Sequence, residues 1–223
     1  MKRMLGAVAI TGAVLAGMSA CLPGDDQEHR TVRYRVSEPV RELVVDAHTG
    51  GIVVTGGGDA VQVVEEQNYR GDAPATTHEV RDGVLRLTYD CSGCGVGYTV
   101  RVPAGTKVRI EQETGGVRLV GLAGEVQAQV RTGGVEATGL TSKNVRLSTG
   151  TGGVRADFAA APDTVEATAS TGGVRVRVPN GAEYAVDARA GAGGVEVGIP
   201  SRPGAAHSIT ARTGAGGVTV DGA

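Results

Sequence analysis

The 223-residue sequence has no tryptophan, one phenylalanine and five tyrosines. A globular core normally leans on leucine and aromatic rings, so a chain this poor in them must bury something thin and layered. No excess of basic residues is present either: the net charge is −2, and −4 once Lys2 and Arg3 are set aside with the leader. A nucleic-acid partner, which needs a concentrated basic face, has no support in that balance. The longest apolar run, Met4 to Ala20, is broken by Gly6, Gly12 and Gly17, and falls short of the roughly 20 residues that span a bilayer. No window of the chain shows a helical apolar stripe longer than a turn or two.

That apolar run comes after Lys2 and Arg3, the layout of a secretion leader over residues 1–20. It ends in Met18-Ser19-Ala20-Cys21, which resembles the lipobox of bacterial lipoproteins, with Met18 where leucine is usual. The expectation is acylation of Cys21 and anchoring to membrane lipid on the extracytoplasmic face of the bacterial cell membrane; a general export signal cut by ordinary signal peptidase is the alternative. Two or three acyl chains anchor firmly where one binds only marginally. Residues 21–30 then form the lipidated N-terminus and a short polar tether, and 31–223 a single domain.

Internal repeats set the expected architecture. Thr114-Gly115-Gly116-Val117 recurs at Thr132–Val135, Thr151–Val154 and Thr171–Val174, with looser copies at Ala192–Val195 and Ala215–Val218 and an early one at Thr49–Ile52. The valines from 117 to 218 are 18, 19, 20, 21 and 23 residues apart. Period-two strands flank each copy, as in Val174-Arg175-Val176-Arg177-Val178, with one apolar and one mostly charged face. Each Gly-Gly supplies backbone conformations closed to residues with a Cβ, and its recurrence implies the same tight corner recurring in space. The pattern predicts an all-β, single-stranded β-helix or β-solenoid with about 20 residues per coil and Gly-Gly corners.

An antiparallel sandwich of hairpins, whose turns also accept Gly-Gly, is the rival. The solenoid is favoured because the motif marks one corner per period, with a different turn between, such as Ala123-Gly124 or Pro179-Asn180-Gly181. Residues 31–113 are less regular and read as wider coils that begin and cap the stack, with 114–223 as the regular part. The chain stops three residues after Val220, which predicts a poorly capped C-terminal end.

The segments ETGGVRL (Glu113–Leu119), STGGVRV (Ser170–Val176) and YTVRVPAG (Tyr98–Gly105) together resemble the putative-adhesin family of bacterial β-strand-repeat proteins over about residues 40–220. That resemblance implies a β-helical fold in bacterial envelope or cytoplasmic proteins, often lipoproteins of high-GC Gram-positive organisms. It brings no established substrate, cofactor or catalytic residue.

Cys91-Ser92-Gly93-Cys94 is the one feature with covalent chemistry in the domain. In an exported chain it reads as a local disulfide. Redox activity would need a helix N-terminus or a nearby cation to lower a thiol pKa, and zinc would want two further ligands. His29, His48, His78 and His207 are scattered; His48, near Asp46, suits a surface hydrogen bond. Thr55-Gly56-Gly57-Gly58-Asp59 lacks the lysine and hydroxyl of a phosphate loop. Asp157, Asp163, Glu166 and Asp187 do not form the acidic nonapeptide of calcium-binding β-rolls. No cofactor or metal is therefore expected.

Arg118, Arg155 and Arg175 each come directly after a repeat valine, and Glu136 and Glu196 hold the same place in two other copies. In registered coils these five make a solvent-facing ladder of mixed sign. It can contact an extended partner, an envelope protein or polysaccharide, or simply solubilise the surface. A non-enzymatic surface scaffold or binding module, adhesin-like, is the leading expectation. A carbohydrate-active enzyme on a β-helix is the alternative; it needs convergent carboxylates in a cleft, and the short connections of the regular half leave little material to build one.

Overall fold

A computed structural model of the chain describes residues 27–223. The leader and Cys21 lie outside the described residues. In chain order the strands are β1 (Glu28–Val36), β2 (Glu42–Thr49), β3 (Ile52–Thr55), β4 (Val61–Tyr69), β5 (Ala75–Arg81), β6 (Val84–Asp90), β7 (Gly95–Arg101), β8 (Lys107–Thr114), β9 (Val117–Val120) and β10 (Val126–Thr132). Next come β11 (Val135–Leu140), β12 (Asn144–Thr151), β13 (Val154–Phe158), β14 (Thr164–Thr171), β15 (Val174–Val178), β16 (Tyr184–Ala192), β17 (Val195–Val197), β18 (His207–Ala215) and β19 (Val218–Gly222). Strand β1 takes in residues 28–30, which the sequence suggested as tether.

The fold is all-β, with one mixed sheet of ten strands and one of nine. From β8 to β15 consecutive strands fall on alternate sheets, so each two strands make one layer, and layers join by parallel pairing. Like residues therefore stack on like. Val117, Val135, Val154 and Val174 are register partners, each 2% exposed. Val126, Val145 and Val165 make the matching buried column on the other sheet. Period-two alternation puts these side chains inside and the charges outside, and valine and alanine keep the two sheets close without rings.

Layer order departs from chain order at both ends. The β2/β3 layer lies between β6/β7 and β8/β9. At the other end β18/β19 inserts between β14/β15 and β16/β17. The expected poorly capped C-terminus is thus corrected: Val218 and Val220 are interior, whereas Val195 and Val197, in the same columns, are 45% and 40% exposed on the terminal layer. A physical reason is at hand in the sequence, because β17 has three residues and runs into Pro200 and Pro203, which cannot extend a ladder.

The expected wide N-terminal coils are also corrected. Beyond β7 the ten-stranded sheet continues with antiparallel β4 and β1, and beyond β6 the nine-stranded sheet ends in antiparallel β5. Between these strands sits Glu65, buried, accepting hydrogen bonds from the Tyr34 hydroxyl (2.8 Å) and Gln67 Nε2 (3.0 Å). Among the described residues no helix is long and apolar enough to cross a membrane.

Candidate functional site

Each Thr-Gly-Gly turns the chain from the nine-stranded to the ten-stranded sheet, and its two glycines differ in kind. The first of each pair (Gly50, Gly115, Gly133, Gly152, Gly172, Gly193 and Gly216) has φ between 132° and 147°, a region that side chains with a Cβ rarely adopt. These glycines stack: a Cβ on Gly133 would lie 2.6 Å from the carbonyl carbon of Gly115, and one on Gly152 2.5 Å from that of Gly133. The fold requires them.

No such demand falls on the second glycine. Gly51, Gly116, Gly134, Gly153, Gly173, Gly194 and Gly217 have no positive φ and are exposed. A Cβ on Gly134 or Gly153 would meet its nearest neighbour at 3.4 Å, an ordinary contact, and one on Gly51 or Gly194 would meet nothing within 4 Å. Six of these glycines, from Gly51 to Gly217, floor an open groove of about 820 Å³ that crosses the strands on the outer face of the ten-stranded sheet. Their carbonyls are already engaged, as in Val117 N–H to Gly134 O and Val135 N–H to Gly153 O, both 2.9 Å. The floor is a strip of Cα–H surface whose carbonyls are all engaged between layers.

Along one side runs the charged ladder. Its order across the sheet is Val53, Arg118, Glu136, Arg155, Arg175, Thr219, Glu196. The first four of the five charged residues line the groove; Glu196 is separated from Arg175 by the inserted β19. Arg118 pairs with Glu136 at 3.1 Å. Arg155 and Arg175, register partners on adjacent strands, are exposed and make no hydrogen bond or ion pair among the described residues. The nine-stranded sheet differs: Arg146 pairs with Glu166 (2.8 Å), Lys143 with Asp163 (3.5 Å) and Arg212 with Asp187. Arg212 and Arg189 hold the Asp187 carboxyl below its ordinary pKa, the Arg212 hydrogen bond contributing most.

The remaining candidates do not converge. Cys91 and Cys94 are joined as a disulfide, Cα atoms 5.9 Å apart, at the corner of the β6/β7 layer. That corner lies next to Gly50, whose added Cβ would strike Val96, and it has no Gly-Gly. His48 meets Glu113 (3.2 Å) instead of Asp46, His78 stacks on Tyr34 at 4.3 Å and His207 meets the Pro162 carbonyl at 2.7 Å. Among the described residues no group of three His, Cys, Asp or Glu side chains could hold a metal ion. A smaller depression of about 430 Å³ on the nine-stranded sheet holds Glu42, Asp46 and Glu111, with Glu111 bound to Arg109 at 3.2 Å. Those carboxylates stand on a sheet face with arginines among them and no inserted loop to enclose a substrate.

The glycine floor itself was missed in the sequence, although a signal existed. A corner needs one residue at positive φ, and every copy spends two glycines.

No family model matches the chain, and no curated protein matches it. Solved structures do. A structure described as a putative cell adhesion protein from Clostridium sporogenes is similar over 88% of this chain and 100% of its own, with 14% identity and a TM-score of 0.53. A putative adhesin from Bacteroides fragilis is similar over 90% of this chain and 99% of its own, with 16% identity and a TM-score of 0.50. At these identities the likeness concerns the fold alone: this chain shares the all-β architecture of those structures.

Proposed function

We propose that this protein is a non-enzymatic surface scaffold and binding module of the bacterial envelope, adhesin-like in use, exported by residues 1–20 and held to membrane lipid through acylated Cys21. Residues 21–27 connect that anchor to the domain, which opens with β1 at Glu28 and whose parallel layers wind as a single-stranded β-solenoid of about 20 residues per coil with Gly-Gly corners. Parallel layers at the repeat spacing support the winding, and the likeness to a structure named for cell adhesion supports the use.

The observation that carries the binding role is the straight groove across six layers with an arginine-bearing ladder beside it. Flat, repetitive faces suit an extended partner, because each layer presents the same surface at about 4.8 Å steps. A direct test compares retention of the purified domain on isolated bacterial envelopes after charge reversal on either face. Arg118→Glu, Arg155→Glu and Arg175→Glu together should abolish retention, while Arg109→Glu and Arg146→Glu on the opposite sheet should leave it intact. Equal retention of both variants, with both folded, would overturn the role assigned to the grooved face. For the anchor, Cys21→Ser should remove palmitate labelling and release the protein from membranes; continued labelling would exclude that site.

A further inference from the structure

We infer that the second glycine of each repeat keeps the groove clear for an extended acidic glycan, whose carboxylate or phosphate groups are taken by Arg155 and Arg175; this rests on the binding role proposed above. The two glycine columns differ in what accounts for them. Backbone geometry explains Gly133 and its stacked equivalents and leaves Gly134 and its equivalents unexplained. These glycines stand at exposed positions without positive φ, directly before a strand, where a residue with a Cβ would fit. Glycine there costs unfolded-state entropy. The same cost recurs in all seven copies, from Gly51 to Gly217, and at six of them the space a side chain would take is the floor of the trough.

The chemistry of the trough then narrows its occupant. It crosses the strands, and its carbonyls are spent on bonds between layers. A peptide lying there would find no free carbonyl for its N–H groups, and strand addition needs an edge, not a face. A pyranose chain has the complementary character: flat C–H faces for the Cα–H floor, and ring substituents directed to the side. On the side stand three arginines and one glutamate, two positive charges in excess on a chain of net −2. Glu136 is committed to Arg118, which leaves the adjacent Arg155 and Arg175 without a carboxylate partner among the described residues. Guanidinium forks one strand spacing apart match planar carboxylate or tetrahedral phosphate groups on neighbouring units of a polymer.

The experiment is calorimetric titration of the purified domain with four probes: oligogalacturonate, glycerol-phosphate oligomer, neutral dextran oligomer and oligoglutamate. Saturable binding of either anionic polymer is expected, with weaker or no binding of dextran and oligoglutamate. Whichever of the first two binds distinguishes a carboxylate source from a phosphate source. Arg155→Gln with Arg175→Gln should weaken that binding by about tenfold or more. Gly134→Thr with Gly153→Thr, which fills the floor and leaves the charges in place, should do the same while melting no lower than the parent.

Three results would overturn the inference: neither anionic polymer binds, oligoglutamate binds as well as they do, or the filled variant binds unchanged. Envelope retention that still depends on the grooved face, together with failure of both anionic polymers, would sink the glycan assignment alone. Loss of that dependence would sink the binding role with it.

Discussion

Alanine placed at Gly133 and at Gly134 should act in opposite directions, although the two positions are adjacent and the added atom is the same. At Gly133 the new Cβ meets the Gly115 carbonyl, 2.6 Å from its carbon, on a backbone with φ of 140°. Holding alanine in so sparsely populated a region costs about 1–3 kcal/mol. Forcing the two stacked corners apart adds about 1–3 kcal/mol, and the smaller unfolded-state entropy returns about 0.4–1 kcal/mol. The net loss is about 1–5.5 kcal/mol, or a fall in melting temperature of roughly 2–22 °C at about 2–4 °C per kcal/mol. At Gly134 the nearest atom is 3.4 Å away and φ is ordinary, so the entropic gain of about 0.4–1 kcal/mol stands nearly alone. Calorimetry and urea midpoints tracked by circular dichroism read both. Equal destabilisation by the two substitutions would mean that the second glycine is a structural requirement, and the case for a groove kept open would fall.

Amide exchange should reveal the inserted layer: β18 and β19, though nearest the C-terminus, should exchange more slowly than β16 and β17, whose Val195 and Val197 are exposed. Fastest exchange in β19 would contradict the layer order. Reduction of Cys91–Cys94, or Cys91→Ser with Cys94→Ser, should cost about 2 kcal/mol on the chain-entropy estimate for so short a loop. Its effect should be greatest on exchange in β6 and β7 and slight beyond β10; uniform loss of protection would refute a local role. Burial, aided by the Glu65 charge, raises the Tyr34 and Tyr98 phenols well above the ordinary value, near 10 for a free tyrosine. Phenols that ionise later in the folded state than in the unfolded one contribute stability in full below about pH 10, and that contribution falls as pH climbs towards the folded values. Ultraviolet titration should therefore show Tyr34 and Tyr98 ionising only with alkaline unfolding, and a normal titration of both in the folded protein would refute their burial.

Much of the layered region was legible in the sequence because the repeat and the strand period agree. Val135, Val154 and Val174 announce one column through their spacing, and they share one. The corner was legible too, since positive φ leaves glycine as the residue that fits. The exchange of layers at the ends was not. Val195-Glu196-Val197 and Val218-Thr219-Val220 carry the same inward valines at the same register, so local pattern gives either segment an equal claim to the place beside β15. The residues on the C-terminal side of each segment make the choice: Pro200 and Pro203 after one, and after the other a fifth strand residue, Gly222, that completes the pairing with Val178. The antiparallel cap was hidden for a related reason, because alternating strands such as Val61–Tyr69 read alike whichever direction their neighbours run.

The groove shows a different kind of illegibility. Its floor is defined by side chains that are missing, and a pattern of glycines reads first as a demand of the backbone. The coordinates separate demand from allowance, since seven glycines sit at φ above 130° and the seven immediately after them do not. A repeat built only for folding would have been free to write Thr-Gly-Thr-Val at each corner and avoid the entropy cost of the second glycine. Such a chain would show a continuous side-chain surface from Thr219 back to Val53, without the trough beside which Arg155 and Arg175 stand with no partner among the described residues. The cost of the second glycine is borne at seven corners, six of which floor the groove, so the expected user of the groove is a partner that touches most of its length and not one layer alone.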